Sequence, residues 1–385
     1  MSEIKNLKKA ATRIKKAIKD KERIIIYGDS DLDGVTSSLI LQESIESLSG
    51  NVTKIYFPDW ETDDYGLNKT ALKVLQEYSP ALLCLLDCGI GNFKEIKQAK
   101  KNGFDVIVID HHEILNKVPK EALVVDPKQP GDEHPFKKLS TVAITYDLSM
   151  LLLDNPSAGL AKSFGELAAL GTIADMMPES GTNEFVIAAG VNSVTSTDRT
   201  GLKAAIEIAT DKGDSPRVIF QKLVGSLNIS GVKNYLTGSY KLLSEKDYKK
   251  AQEIATELIA SALQRSHEIY DTVGDISRDV ERSTLPLIFE GSESLMQALT
   301  GSVSSRLCNK HKKPTFIYKI KKDKSKGSVR VPRDLDAVEA LKSCEKYLEM
   351  YGGHPPAAGF TVKNENLEDF KKCLIDYFKK LKIKN

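Results

Sequence analysis

The sequence predicts an α/β protein: an N-terminal domain on a parallel sheet, a long connecting helix, and a smaller C-terminal α/β domain with a mixed sheet. Three observations carry this. Short apolar runs alternate with helical stretches over residues 24–109, the pattern of a sheet covered on both faces. Residues 244–269 hold no Gly or Pro and begin at a Ser with an acid three positions on, the signature of one long capped helix. After residue 283 strand and helix patterns alternate again.

In chain order, residues 3–20 place Ile4, Leu7, Ala11, Ile14 and Ile18 at helical spacing on a basic segment, a helix expected to pack on the domain surface. Strands are expected at 24–27, 52–57, 81–86 and 106–109, with helices near 35–47, 69–77 and 93–101. Residues 139–257 read as mostly helical. In the last third, strands are expected at 285–289, 315–320, 327–331 and 359–362, and helices at 294–309, 335–350 and the basic C-terminal end.

With 385 residues, 41% hydrophobic and 28% charged, the composition is that of a globular chain of two or three domains. The boundaries are set at 1–200, 201–283 as helical connector, and 284–385. No run of about 18 apolar residues occurs and the start lacks a signal peptide's apolar stretch, so a cytoplasmic address without membrane contact is expected. The five cysteines (Cys84, Cys88, Cys308, Cys344, Cys373) form no CxxC pair, so neither a zinc module nor a disulfide framework is expected. Charge is uneven. Residues 306–385 carry twenty Lys and Arg against ten Asp and Glu, and residues 1–305 carry thirty-five against forty-three. An acidic front and a basic back suggest a cation-binding part joined to an anion-binding part.

Ligands of open parallel sheets bind beyond the carboxyl ends of the strands. The first strand runs into Asp29, Asp31 and Asp33, followed by Gly34; the strand ending at Leu86 delivers Asp87; the strand ending at Ile109 delivers Asp110, His111 and His112. One Asp after a strand is most often a turn residue or helix N-cap. At least five carboxylates on one edge, with no Lys or Arg in the same motifs, repel one another unless cations neutralise them. Mixed oxygen and imidazole donors favour Mn(II), with Mg(II) or Zn(II) as alternatives. Two ions sharing a bridging carboxylate can clamp a phosphate and activate water. A calcium loop fails, because Ile40 stands where its Glu is needed. Gly89 and Gly91 lack the third glycine of a dinucleotide fingerprint.

On these residues the chain resembles the DHH phosphoesterase superfamily, and most closely its RecJ-like branch of single-strand-specific exonucleases. The motifs are YGDSDLDGVTS from Tyr27, DCGI from Asp87, DHH from Asp110 and GTIADMMP from Gly171. Farther on, GSVSSR from Gly301 and GGHPPAAG from Gly352 resemble the DHHA1 domain that accompanies it. The resemblance makes residues 1–200 the catalytic, metal-binding domain and 284–385 the substrate-binding one. It implies that Asp31, Asp33, Asp87, His111 and Asp175 ligate two divalent ions, with Asp87 bridging and Asp29 a further or near ligand. Asp110 is then expected to orient the histidines from outside the ligand set, and His112 to stand beside the scissile phosphate. Ser304, Ser305, Arg306, Arg330, Gly352, Gly353 and His354 are expected to hold substrate, with Arg306 offsetting charge on the phosphate.

The expected activity is metal-dependent removal of nucleotides from an end of single-stranded DNA or RNA, 5′ to 3′ by resemblance. The alternatives are an oligoribonuclease, a phosphatase of 3′-phosphoadenosine phosphate or cyclic dinucleotides, and an inactive replication scaffold. The first motif lacks the histidine typical of the small-substrate branches, which favours the nuclease. The chain has little room for the OB-fold of bacterial RecJ, so weak processivity is expected. Replication or repair proteins are open as partners, and the oligomeric state is unassigned.

Overall fold

The computed structural model describes residues 3–61, 63, 66–114, 117–228 and 231–384. Its first unit, residues 1–262, opens with α1 (Leu7–Lys19), β1 (Ile24–Gly28), α2 (Leu32–Ser47), β2 (Val52–Tyr56), α3 (Lys69–Leu75), β3 (Ala81–Leu86), α4 (Phe93–Lys101), β4 (Phe104–Ile109) and β5 (Leu123–Val125). The strands lie parallel in the order β2-β1-β3-β4-β5. Chain order reverses between β1 and β3, which is where such sheets bind ligands.

Alternation within the strands divides the core into two layers. Ile24 and Ile26 of β1, with Cys84 and Leu86 of β3, pack toward α1 and α2. Ile25 and Tyr27, with Leu83 and Leu85, pack toward α3 and α4. The apolar stripe of α1 is spent on this packing: Leu7, Ala10, Ala11, Ile14 and Ala17 are buried.

Helices complete the unit: α5 (Thr141–Leu153), α6 (Ala158–Ala174), α7 (Thr182–Ser193), α8 (Thr200–Ala209) and α9 (Pro216–Leu227), then a hairpin of β6 (Val232–Lys233) and β7 (Leu236–Thr237), and α10 (Gly238–Ser244). Side-chain oxygens of Asp31, Asn68, Ser140, Ser157, Ser215 and Thr237 cap α2, α3, α5, α6, α9 and α10. Residues 201–262 share a core with α2 and α6 through Leu202, Phe220, Leu223, Leu242 and Ala255. Buried Arg199 anchors α8, giving both terminal nitrogens to Glu43 at 2.9 and 2.8 Å.

The long helix, α11 (Tyr248–Val280), starts later than the sequence suggests. Ser244 closes α10 and its hydroxyl donates back to the Tyr240 carbonyl, so Asp247 takes the capping role, its Oδ1 accepting from the Lys250 N–H at 2.9 Å. The second unit, residues 263–385, adds β8 (Ile288–Ser292), α12 (Thr300–His311), β9 (Thr315–Ile320), β10 (Lys324–Arg330), α13 (Ala337–Ser343), β11 (Leu348–His354), β12 (Ala357–Lys363) and α14 (Leu367–Lys384). Its sheet runs β11-β12-β10-β9-β8, antiparallel except for β8 with β9, which is the mixed sheet expected.

Two local expectations are overturned here. The helix placed at 335–350 ends at Ser343, and Leu348 onward is a strand, because β12 pairs with it through Gly352 and Gly353. Cys344 and Cys373 form a disulfide across a separation of 29 residues, with Cα atoms 6.0 Å apart. The end of α13 packs on α14, a contact that cysteine spacing along the chain does not reveal. Cys84, Cys88 and Cys308 are buried free thiols. No helix among the described residues is long and apolar enough to cross a membrane.

Candidate metal and phosphate site

The sheet register lines the acids up. Gly28 pairs with Leu86, Leu86 with Ile109, and Ile109 with Val125. The ladder then continues one residue beyond each strand: the N–H of Asp29 donates to the Leu86 carbonyl at 3.0 Å, that of Asp87 to Ile109 at 3.0 Å, and that of Asp110 to Val125 at 3.1 Å. Asp126 ends the row, following β5. Four buried aspartates thus stand on adjacent strand ends.

The first turn of α2 carries the other two acids of the motif. Asp31 accepts the Gly34 N–H at 3.0 Å as N-cap. Buried Asp33 is gripped by the N-terminus of α5, accepting from Thr141 N–H at 2.9 Å and Val142 N–H at 2.8 Å. The same Thr141 gives its hydroxyl to Asp87 Oδ1 at 3.0 Å. Asp87 sits at φ 61, a left-handed conformation that Asp tolerates better than most residues. Asp175 follows the last turn of α6.

Side chains from these elements converge. His111 Nε2 lies 3.3 Å from Asp175 Oδ2, 3.4 Å from Asp87 Oδ1 and 3.9 Å from Asp33 Oδ2. One donor atom each from Asp33, Asp87 and His111 falls within 4.8 Å of the others, as it does for Asp29, Asp31 and Asp87. Asp87 is common to both groups. The residues fit divalent cations on their own evidence: buried carboxylates crowd together with imidazole, and Asp175 Oδ2 is buried without a hydrogen bond.

The electrostatics say the same. Burial and Asp31 push the Asp29 carboxyl up to about 8, against the opposing hydrogen bond from Trp60 Nε1 at 2.8 Å. Burial and Asp31 raise Asp175 to about 7. Asp33 and Asp87 are raised well above the carboxylate range by burial and by neighbouring aspartates. Asp110 behaves differently. Burial alone would raise it, but His112 and His111 and three N–H donors (Ile90, His111, His112) hold it well below the usual range. His112 Nδ1 stands 2.7 Å from Asp110 Oδ1. Burial works against its charge, yet Asp110 outweighs this and lifts His112 to about 9.

Gly34 is where these parts touch. A Cβ there would lie 2.3 Å from the Asp29 carbonyl oxygen and 2.7 Å from its nitrogen, so the α2 turn can close on Asp29 only without a side chain. Gly34→Ala is expected to destabilise the fold by about 1–3 kcal/mol. It is also expected to weaken Mn(II) binding, because Asp29 and Asp31 are pushed apart. Thermal unfolding and a metal titration read the two effects; unchanged values in both would contradict this geometry.

In the second unit the substrate-binding candidates fall on strand ends and on α12, whose Gly301 faces the Arg330 guanidinium, a Cβ there lying 3.5 Å from Arg330 Nη2. His354 pairs with Ala357 and Ala357 with Arg330, so Gly352, Gly353, His354 and Arg330 occupy neighbouring ends of β11, β12 and β10. Arg330 is half-buried; its Nη1 donates to the Val329 carbonyl, and its Nε is buried without a hydrogen bond among the described residues. On α12, Arg306 is exposed and Ser305 half-buried, whereas Ser304 is buried and gives its hydroxyl to the Gly301 carbonyl at 2.9 Å.

Several participants carried no local signal. Thr141 and Val142 contribute backbone N–H groups, which no motif encodes. Asn228 Oδ1 accepts from the Leu32 N–H at 3.0 Å, bracing the acid turn from 196 residues away. Asp126 escaped because β5 is three residues long; burial and Asp110 raise its carboxyl to about 8. Trp60, the chain's one tryptophan, could have been suspected only from its rarity.

Residues 23–172 match the DHH family N-terminal domain, and residues 287–380 match the DHHA1 domain. The chain is 34% identical over 379 residues to the single-stranded-DNA-specific exonuclease RecJ of Bacillus subtilis, covering 97% of this chain and 48% of that protein. A crystal structure of exonuclease RecJ bound to manganese superposes with TM-score 0.78 at 26% identity, covering 98% of this chain and 95% of the other. RecJ of Thermus thermophilus in complex with Mn2+ gives TM-score 0.82 at 26% identity, with 98% and 55% covered. The chain spans about half the length of the Bacillus relative and of the Thermus protein. The chain thus carries a DHH family N-terminal domain, followed in sequence by a DHHA1 domain.

Proposed function

We propose that this protein is a RecJ-like phosphodiesterase that removes nucleotides from an end of single-stranded DNA, with RNA as an alternative strand and 5′ to 3′ as the direction. The observation that carries the reading is the acid row, Asp29, Asp87 and Asp110 on consecutive strand ends, meeting Asp31, Asp33, His111 and Asp175. The similarity to single-strand exonucleases at 34% identity supports the substrate class.

Asp31, Asp33, Asp87, His111 and Asp175 would hold two divalent ions, Mn(II) or Mg(II), with Asp29 beside them. Bound there, such ions supply charge neutralisation at a phosphate and a lowered pKa for the attacking water. The chain's own residues do the rest. Thr141 and Val142 fix Asp33, and the Thr141 hydroxyl fixes Asp87, so the carboxylates need no reorganisation. Asp110 holds His112 by Nδ1 and keeps it protonated at neutral pH, fit to bind a phosphate oxygen or give its proton to the leaving oxygen. Arg306 offers a planar two-pronged donor for a substrate phosphate, with Arg330, His354, Ser305, Gly352 and Gly353 as further contacts, while buried Ser304 braces the turn of α12 that presents Ser305 and Arg306.

The test is hydrolysis of end-labelled single-stranded DNA and RNA, from dinucleotides to long oligonucleotides, with Mn(II) or Mg(II). Stepwise shortening of long strands from one end is expected, with the label position giving the direction. A preference for dinucleotides would replace this reading with an oligoribonuclease, and no cleavage of any strand would sink the nuclease.

A further inference from the structure

A column of three tyrosines runs from the acid edge to the surface of the first unit. Tyr27 and Tyr56 are register partners on β1 and β2, with ring centroids 5.3 Å apart and planes 9° apart. Tyr235 stacks on the other side of Tyr56 at 4.6 Å and 19°. Tyr27 and Tyr56 are fully buried, while Tyr235 is 37% exposed and ends the column. The Lys54 ammonium lies 5.1 Å from the Tyr235 ring centroid.

The column shares a wall with the acid site. Tyr27 stands two residues before Asp29. The Tyr235 carbonyl accepts the Phe57 N–H at 2.9 Å, tying the β6–β7 turn to the end of edge strand β2. The chain then leads from Phe57 to Trp60, which bonds to Asp29.

The backbone adds an independent point. Asn234 and Tyr235 form the two-residue hairpin turn, at φ 56 and 65. Such turns favour Asn followed by Gly. A bulky residue in the left-handed region is strained, and residues held in that way cluster at ligand clamps and active sites. Covering Tyr56 occupies one face of the Tyr235 ring. The Lys54 ammonium lies over the ring, which stays 37% exposed, so an aromatic and a cation meet at the surface, the chemistry of a single-strand stacking platform.

We propose that Tyr235 is a stacking site for a nucleobase of the bound single strand, with Lys54 contacting an adjacent backbone phosphate. This rests on the single-strand reading above and adds a base-holding subsite in the first unit. The platform reads no sequence, because every base offers a π face.

The test moves one 2-aminopurine along a single-stranded oligonucleotide, one position at a time from each end, on the full chain carrying Asp87→Asn so that the strand stays intact. Fluorescence should fall on binding at one position near one end. Tyr235→Gly suits the left-handed turn and keeps the hairpin, so it removes the ring without straining the backbone. It should abolish that fall and weaken binding about 5- to 150-fold, with an unchanged unfolding midpoint. Tyr235→Trp should keep the fall, and Lys54→Gln should reduce the salt dependence of binding by about one counterion. A fall that persists in Tyr235→Gly, or no position-dependent fall in a chain that binds strands, overturns the platform alone. A parent chain, with Asp87 intact, that neither binds nor shortens single strands overturns the platform and the nuclease reading together.

Discussion

Asp87→Ala is expected to lower metal-dependent hydrolysis on the order of 10³-fold or more, the loss of several kcal/mol of transition-state stabilisation. No other carboxylate among the described residues sits so centrally. Its oxygen atoms belong both to the group with Asp33 and His111 and to the group with Asp29 and Asp31. Its N–H is held by the Ile109 carbonyl and its Oδ1 by Thr141, so the position is set by the sheet rather than by a flexible side chain. Removing it strips both groups of a shared donor. The metal-free fold should survive, because deleting one of several mutually repelling buried acids offsets the cost of Ala at φ 61. Single-turnover cleavage and a calorimetric Mn(II) titration, beside thermal unfolding, separate loss of chemistry from loss of fold. A variant that cleaves within tenfold of the parent while binding Mn(II) normally would remove Asp87 from the centre of the mechanism.

Metal-free stability should fall as pH rises, while the increment added by a divalent ion should grow. Without metal, Asp29 titrates near 8 and Asp175 near 7, with Asp33 and Asp87 raised as well. In the unfolded chain these groups titrate near about 3.9. Between those limits the native state keeps protons that the unfolded state releases. The contribution to stability is therefore complete below about pH 4 and is lost as pH rises through the native values. His112, raised to about 9, has the same sign, and depressed Asp110 acts oppositely only below the usual carboxylate range. Metal-free Tm should fall from about pH 5 to about pH 8, with each buried acid losing at most about 1.4 kcal/mol per pH unit. Mn(II) needs the carboxylates ionised, so its stabilisation grows over the same window, reaching about 2.7 kcal/mol at a hundredfold excess over Kd. Differential scanning at several pH values, with and without Mn(II), reads both slopes. A metal-free Tm that climbs across the window, or a Mn(II) increment that ignores pH, would show that these acids are not buried together as described.

Much of the site was legible from residue spacing because each motif is local. Asp29, Asp31 and Asp33 follow one strand, and Asp110, His111 and His112 follow another, so alternation and punctuation were enough to place them at strand ends. What bound them into one site was not local. Asp33 is ionically crowded yet held by two N–H groups of a helix beginning 108 residues later. Leu32 is braced by Asn228, on a segment whose sequence reads as ordinary helix ending. The basic helix at the start was legible, like the motifs, for a local reason: its apolar stripe predicted packing on the domain, and Leu7, Ala10, Ala11, Ile14 and Ala17 are buried there.

The alternating α/β plan, the order of the motifs, and the acid excess in residues 1–305 beside the base excess in residues 306–385 can all be read along the chain. These follow from periodicity and residue type, which act over a few neighbours. The tertiary structure alone decided the strand order, the register that carries Asp126 into the acid row, the switch of residues 348–354 from expected helix to strand, and the pairing of Cys344 with Cys373. Register, sheet pairing and disulfide choice depend on which distant segments pack together, and the free energy that selects them comes from burial shared across the whole core.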